Sequence, residues 1–281
     1  MNINIKKFDP TTIDPCRICV FLGKRNTGKS VLSKDILYHH RKIPMGVIMS
    51  GTEASNEHYQ EFVPDSFIYG EYKSDVIEKV INHQQTVIKK LKGVEKEDFK
   101  DPKNSVFMVL DDCMFDNKWT RDKNMRCVFM NGRHYRIFFM LTMQYCMDLP
   151  PALRANIDYI FVLKENIIQN REKIYKNFFG IFPTFDSFNE VLTACTENYE
   201  CLVLDNTSKS NKIEDVVFWY KAKVDHKFKM GSPALWEHHK RNYDKNHDTP
   251  KDPSELKKKT NTPLVTVTKT DTTGKKKKKK N

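Results

Sequence analysis

"GKRNTGKS" (residues 23–30) lies between the apolar run "CRICVFLG" (16–23), which reads as a strand, and "KSVLSKDILYHH" (29–40), which reads as a helix with Val31, Leu32, Ile36 and Leu37 on one face. The run fits G-x-x-x-x-G-K-[ST] in the strand-then-helix context that this spacing requires. Four fixed positions match by chance in about one chain in a hundred of this length, and the context makes an accidental Gly-Lys-Ser turn a weak alternative. The physics accounts for the spacing. Gly23 and Gly28 let the backbone amides of Lys24, Arg25, Asn26 and Thr27 turn inward around phosphate oxygens, and the helix N-terminus adds positive potential. Lys29 reaches the terminal phosphates, and Ser30 offers a hydroxyl to Mg²⁺.

A phosphate loop of this kind works with an acid at the end of a neighbouring strand. "SVFMVLDD" (105–112) supplies two. Asp111 is expected to hold Mg²⁺ through water and Asp112 to polarise an attacking water, although paired acids after an apolar run also suit a plain strand-end turn. "RIFFMLTMQ" (136–144) is a further strand ending on Gln144, a residue able either to orient water or simply to bond the backbone at the strand end.

Outward from these segments, strand and helix patterns alternate, as in a parallel sheet covered by helices. Strands are expected at 45–52, briefly at 66–70, and at 159–165. Helices are expected at 74–91, 121–133, 167–179 and 184–197. The runs 201–206 and 215–222 look like a hairpin at a sheet edge, after which the pattern fades. The chain of 281 residues is 39% hydrophobic with a net charge of +12. Residues 245–281 carry twelve Lys against four acids, a net +8, with no aromatic residue. Such a segment cannot offset its ordering entropy and reads as a disordered tail. One folded domain, 1–244, is therefore expected before a lysine-rich tail, 245–281.

Seven Cys at irregular spacing and a polar start, "MNINIKKFDP", point to reduced thiols in a cytosolic or nuclear setting. Cys16 and Cys19 form a CxxC, but no second pair lies at zinc-ligand spacing. No apolar run is long enough to span a bilayer, so a soluble protein is expected.

The run "GRHYRIFFMLTMQYCMDLPPALRANIDYIFVLKE" (132–165), with "GKRNTGKS", "VLDD" and "SGTEASNEHY" (50–59), resembles the DNA-packaging ATPases of nucleocytoplasmic large DNA viruses, the poxvirus-type branch of the FtsK–HerA superfamily. The resemblance covers about 16–225. It implies an α/β P-loop NTPase of the RecA/ASCE type, with ATP and Mg²⁺ as cofactors and double-stranded DNA as the polymer moved into a capsid. It carries Lys29 and Ser30 onto the phosphate and magnesium contacts, Asp111 onto the metal acid and Gln144 onto the strand-end glutamine. Asp112 stands where cellular relatives usually have Glu. Arg133 falls where bacterial relatives carry an arginine offered to the neighbouring subunit's nucleotide, and Arg154 where they have a basic residue near the same interface. A homo-oligomeric ring, hexameric or similar, a capsid, portal or membrane partner in the virion, and a site of action in the cytoplasmic viral factory or nucleus are further implications.

Rival readings are a small P-loop nucleotide or nucleoside kinase, for which no arginine-rich lid is recognisable, and a virion component that keeps ATP without being a motor. A DNA-independent ATPase that moves protein is a third. No N-K-x-D guanine motif supports a GTPase. The loops "GTEASNEHYQ" (51–60) and "KGVEKEDFKDPKN" (92–104) are candidates to grip DNA, though neither is clearly basic. The tail's "KKK" (257–259) and "KKKKKK" (275–280) suit electrostatic nucleic-acid binding, nuclear targeting or solubility. If the tail holds DNA, deleting 245–281 weakens duplex binding and flattens its dependence on salt in a titration; an unchanged slope removes that role.

Overall fold

The computed structural model describes residues 3–91, 101–113 and 117–243. The tail, and residues 92–100 of the second candidate DNA loop, lie outside the described residues. Nine strands form one sheet in the order β1-β9-β8-β7-β2-β6-β5-β3-β4. In chain order these are β1 (Lys6–Lys7), β2 (Ile18–Leu22), β3 (Met45–Ser50), β4 (Ile68–Tyr69), β5 (Val106–Asp111), β6 (Ile137–Met143), β7 (Tyr159–Val162), β8 (Glu200–Asp205) and β9 (Val217–Lys221). The helices are α1 (Lys29–His39), α2 (Glu53–Asn56), α3 (Ser74–Leu91), α4 (Lys123–Asn131), α5 (Pro151–Arg154), α6 (Ile168–Phe178), α7 (Phe185–Ala194), α8 (Ile213–Val216) and α9 (Pro233–Asn242).

The strands at the centre read as unbroken apolar runs because both of their faces are covered. All seven residues of β6, "IFFMLTM", are buried. Alternate residues nevertheless serve different layers. Phe139, Leu141 and Met143 pack with Val76, Ile77 and Val80 of α3 and with Met125, Val128 and Phe129 of α4. Phe138 and Met140 face the opposite layer, which contains Leu32, Ile36 and Leu37 of α1. β2 pairs in parallel with β6 on one side and β7 on the other, and β5 pairs in parallel with β6 and β3.

β8 pairs antiparallel with β7 and β9, so the expected hairpin exists. It does not form the sheet edge, because β1 adds in parallel outside β9. A two-residue strand carries too little pattern to be read in advance. Beyond residue 222, where the sequence pattern fades, the structure adds one more helix, α9, with Ser232 at its N-cap position and Pro233 in its first turn.

Phe139 is fully buried with its ring 5.3 Å from that of Phe129, edge to face. Phe139→Ala is expected to cost about 3–5 kcal/mol, read as a fall in the denaturant midpoint; a loss below about 1 kcal/mol would contradict the packing described.

Candidate active site

The residues expected to bind phosphate and metal meet where β2, β5 and β6 end. β2 runs into the loop 23–28, whose Gly23 N–H donates to the Met143 carbonyl at 3.1 Å at the end of β6. A side chain at position 23 would bring its Cβ within 2.6 Å of Thr27 Oγ1 and 3.0 Å of Leu163 Cβ. Gly28, the N-cap of α1, has φ +99°, a conformation L side chains rarely adopt. The loop is stitched by Thr27 Oγ1, which donates to the Lys24 carbonyl at 2.7 Å. Lys29 Nζ spends two of its three donors on the carbonyls of Gly23 (2.6 Å) and Lys24 (2.7 Å). Burial pushes the Lys29 ammonium pKa down; Asp112 and Asp111 oppose that effect and Arg25 adds to it. Outside the loop, the Lys24 side chain pairs with Glu165 at 2.7 Å. Burial alone would raise Glu165, but Lys24 and the N–H donors of Ile167 and Asn170 outweigh it and hold its pKa below the usual carboxylate value.

Asp111 and Asp112 differ in environment because the chain turns between them. Asp111 ends β5 and is buried; the Thr142 hydroxyl on β6 donates to its Oδ1. The same hydroxyl accepts the Asp112 N–H at 3.2 Å. Asp112 has left the strand, with φ +48°, and Gly51 lies so close beneath it that a Cβ there would stand 2.7 Å from the Asp112 carbonyl oxygen. Gln144 Nε2 donates to Asp112 Oδ1 at 2.9 Å. The two residues read separately in the sequence thus form one hydrogen-bonded pair.

A pocket of about 840 Å³ joins these groups, lined by Arg25, Gly28, Lys29, Ser30, Asp111, Asp112 and Gln144. Asn26 also lines it, whereas Gly23, Lys24 and Thr27 do not. The loop after β3, expected among the DNA-contacting candidates, contributes Thr52 and Asn56 to this same wall. Glu53 fixes it by accepting the N–H groups of Tyr59 (2.8 Å) and Gln60 (3.0 Å), and burial raises the pKa of this carboxyl. His58 Nε2 lies 3.2 Å from the Ser30 carbonyl, tying the loop to the first turn of α1.

The pocket is also lined by residues that sequence reasoning missed: Tyr199, Lys221, Ala222 and Val224. Tyr199 is 73% exposed and Val224 is 70% exposed, so neither is a core residue, yet both line the pocket. Tyr199 has φ +63°, and its ring is 3.5 Å from where a Cβ on Gly28 would sit. An aromatic residue before a strand is no signal by itself, because its partners come from distant loops.

Neither expected arginine lines the pocket. Arg133 pairs with Asp158 at 2.6 Å, which also binds Arg17 at 3.2 Å and accepts the Ile18 N–H at 2.9 Å. That cluster sits where β2 begins, the opposite end from the phosphate loop. Arg154 donates to the Leu149 carbonyl at 2.9 Å and lies 6.0 Å from the Phe178 ring. Cys16 and Cys19 are free buried thiols, and burial raises the pKa of both. No helix among the described residues is long and apolar enough to cross a membrane.

Known proteins resemble this chain in sequence and in fold. A protein of Acanthamoeba polyphaga mimivirus, L437, is 40% identical over 250 residues, 86% of each chain. Protein 015R of frog virus 3 is 37% identical over 204 residues, 72% of this chain and 61% of that one. Among solved structures, the genome packaging NTPase B204 of Sulfolobus turreted icosahedral virus 2, in complex with AMPPCP, superposes with a TM-score of 0.52 at 17% identity, covering 75% of this chain and all of B204. The conjugation coupling protein TcpA of plasmid pCW3, with ATPγS, gives 0.51 at 12% identity over 74% of this chain and 60% of its own; at such identities the likeness is one of fold. The family model of the poxvirus A32 protein matches residues 7–217, and the chain belongs to that family.

Proposed function

We propose that this chain is an ATP-hydrolysing motor that moves double-stranded viral DNA into a capsid. The observation that carries the reading is the single pocket in which the phosphate loop meets Asp111 and the Asp112–Gln144 pair. Membership of the A32 family supports it, as does a structural neighbour named as a genome packaging NTPase and captured with ATP analogues.

In this reading the amides of 24–28 and Lys29 bind the ATP phosphates. The donor set fits Mg²⁺, since Ser30 and Asp111 offer hard oxygen ligands on the same pocket and Thr142 orients the carboxylate. When bound, Mg²⁺ neutralises charge on the phosphates. Asp112 polarises the attacking water. Gln144 holds the Asp112 carboxylate in place and, being tied to the end of β6, couples the state of the phosphate to that strand. Tyr199 stacks on the adenine, with Ala222 and Val224 as the apolar wall beside it.

Arg133, at the far end of the sheet from its own pocket, serves the nucleotide of a neighbouring subunit, which requires a ring. Arg154 lies on the same interface. The motor acts where virions assemble, in the host cytoplasm or nucleus, against a capsid, portal or membrane component. A trans arginine is worth about 10³–10⁵ in rate, so activity is expected to rise with assembly.

ATP hydrolysis per chain, measured over a protein concentration series, should climb steeply with concentration and with duplex DNA, and Lys29→Ala should abolish it. A rate per chain that is constant and indifferent to DNA argues for a monomeric phosphate-loop enzyme instead. Separately, Tyr199→Ala should raise the KM for ATP by about 10- to 100-fold, the worth of one stacking contact, while kcat changes little and Tyr199→Phe behaves as the parent. An equal KM in Tyr199→Ala removes the residue from the base site.

A further inference from the structure

A second cluster of chemically competent side chains lies further along α1, one and two turns beyond Val31 of the nucleotide pocket on the same helix face. Asp35 and His39 are four residues apart on that helix and so share one side. His226, from the segment after β9, meets them: its Nε2 is 2.6 Å from Asp35 Oδ1, and His39 Nε2 is 3.8 Å from the same oxygen. One donor atom from each of the three lies within 4.8 Å of the other two. We propose that Asp35, His39 and His226 form a binding site for a divalent transition-metal ion of the zinc class, separate from the magnesium position at Ser30 and Asp111.

Three features favour a metal over a simple hydrogen-bonded cluster. First, the donor set is two imidazole nitrogens and one carboxylate oxygen, which suits Zn²⁺ and its neighbours rather than Mg²⁺ or Ca²⁺. Second, the ligands are held from outside, as metal ligands are. The Tyr220 hydroxyl donates to the other Asp35 oxygen at 2.5 Å, and Tyr38 stacks on His226 with ring centres 3.7 Å apart and planes within 10°.

Third, Asp35 is completely buried, and its ion-pair partners among the described residues are these two imidazoles, with no Lys or Arg. An imidazole offers a positive charge only when protonated, whereas a divalent ion supplies it permanently. Asp9 and Lys223, of opposite charge, also act on His39. The side chains of His39 and His226 keep 18% and 13% exposure, which leaves an approach for the ion and for a water as fourth ligand.

Metal bonds of about 2.0–2.1 Å at tetrahedral angles set ligand atoms about 3.3 Å apart. Binding therefore opens the His226–Asp35 contact slightly and draws His39 inward. The consequence for the motor is mechanical. The segment that carries His226 also carries Ala222 and Val224 of the pocket wall, and α1 starts at the phosphate loop. The ion would staple that wall to the helix that holds Lys29 and Ser30.

The test uses the full chain, stripped with chelator, free of nucleotide and kept in millimolar Mg²⁺ so that oxygen sites are occupied. Zn²⁺ is titrated against a chromogenic chelator, and Co²⁺ is followed by its visible bands. We expect one equivalent bound per chain, without the near-ultraviolet thiolate band that any of the seven cysteines would produce, and a Zn²⁺-dependent rise in Tm. His39→Ala is the discriminating variant because it leaves the Asp35–His226–Tyr220 hydrogen bonds intact, so a merely structural cluster would tolerate it. It should fold with an unchanged metal-free Tm and bind Zn²⁺ about 100-fold more weakly or worse, as should His226→Ala. Absence of saturable binding in the parent, a thiolate band, or equal affinity in His39→Ala overturns the proposal. None of these readouts involves ATP, so the site stands or falls independently of the motor reading.

Discussion

The parallel pairing of β6 with β2 on one side and β5 on the other is the constraint on which the site depends. It brings three strand ends level, so the phosphate loop, the two acids and Gln144 emerge side by side although more than a hundred residues separate the first from the last. The driving force is apolar burial. β6 has no exposed residue, and a strand covered on both faces cannot slip register without moving its apolar side chains between two different layers. The polar exception, Thr142, is placed where its hydroxyl serves both acids: it donates to Asp111 and accepts from the Asp112 amide. Burying that hydroxyl is tolerable because its donor and its acceptor capacity are both used.

The two acids illustrate how one turn of backbone separates two chemical environments. Asp111 continues the strand, is buried and is oriented from β6. Asp112 adopts positive φ, a conformation that Asp tolerates better than most residues, and this directs its carboxylate to Gln144. There the strand-end glutamine donates a direct hydrogen bond to it. Tyr199 and Val224 expose apolar surface that no core uses, on the lining of the same pocket.

Legibility along the chain followed the strength of local signals. The phosphate loop was readable because glycine, lysine and serine at fixed spacing, between a strand and a helix, have one common physical use. The apolar strands and the long α3 were readable from periodicity. α9 carried a readable start, Ser232 followed by Pro233, but its charged composition hid it. β1 was unreadable, since two exposed lysines become a strand only by pairing with β9. Arg133 and Arg154 could be singled out by position but not by environment; the fold gives one to Asp158 and the other to a backbone carbonyl.

By itself, the sequence determined the α/β class, the phosphate loop, both acids, the strand-end glutamine and the family resemblance, because each is written in contiguous residues whose chemistry is local. The tertiary structure alone decided which groups meet: Gln144 with Asp112, Thr52 and Asn56 with the phosphate pocket, Tyr199 with Gly28, and His226 with Asp35 across 191 residues. Those encounters depend on strand order and on where irregular segments return to the sheet. Both are set by long-range packing, which leaves no periodic trace in the chain.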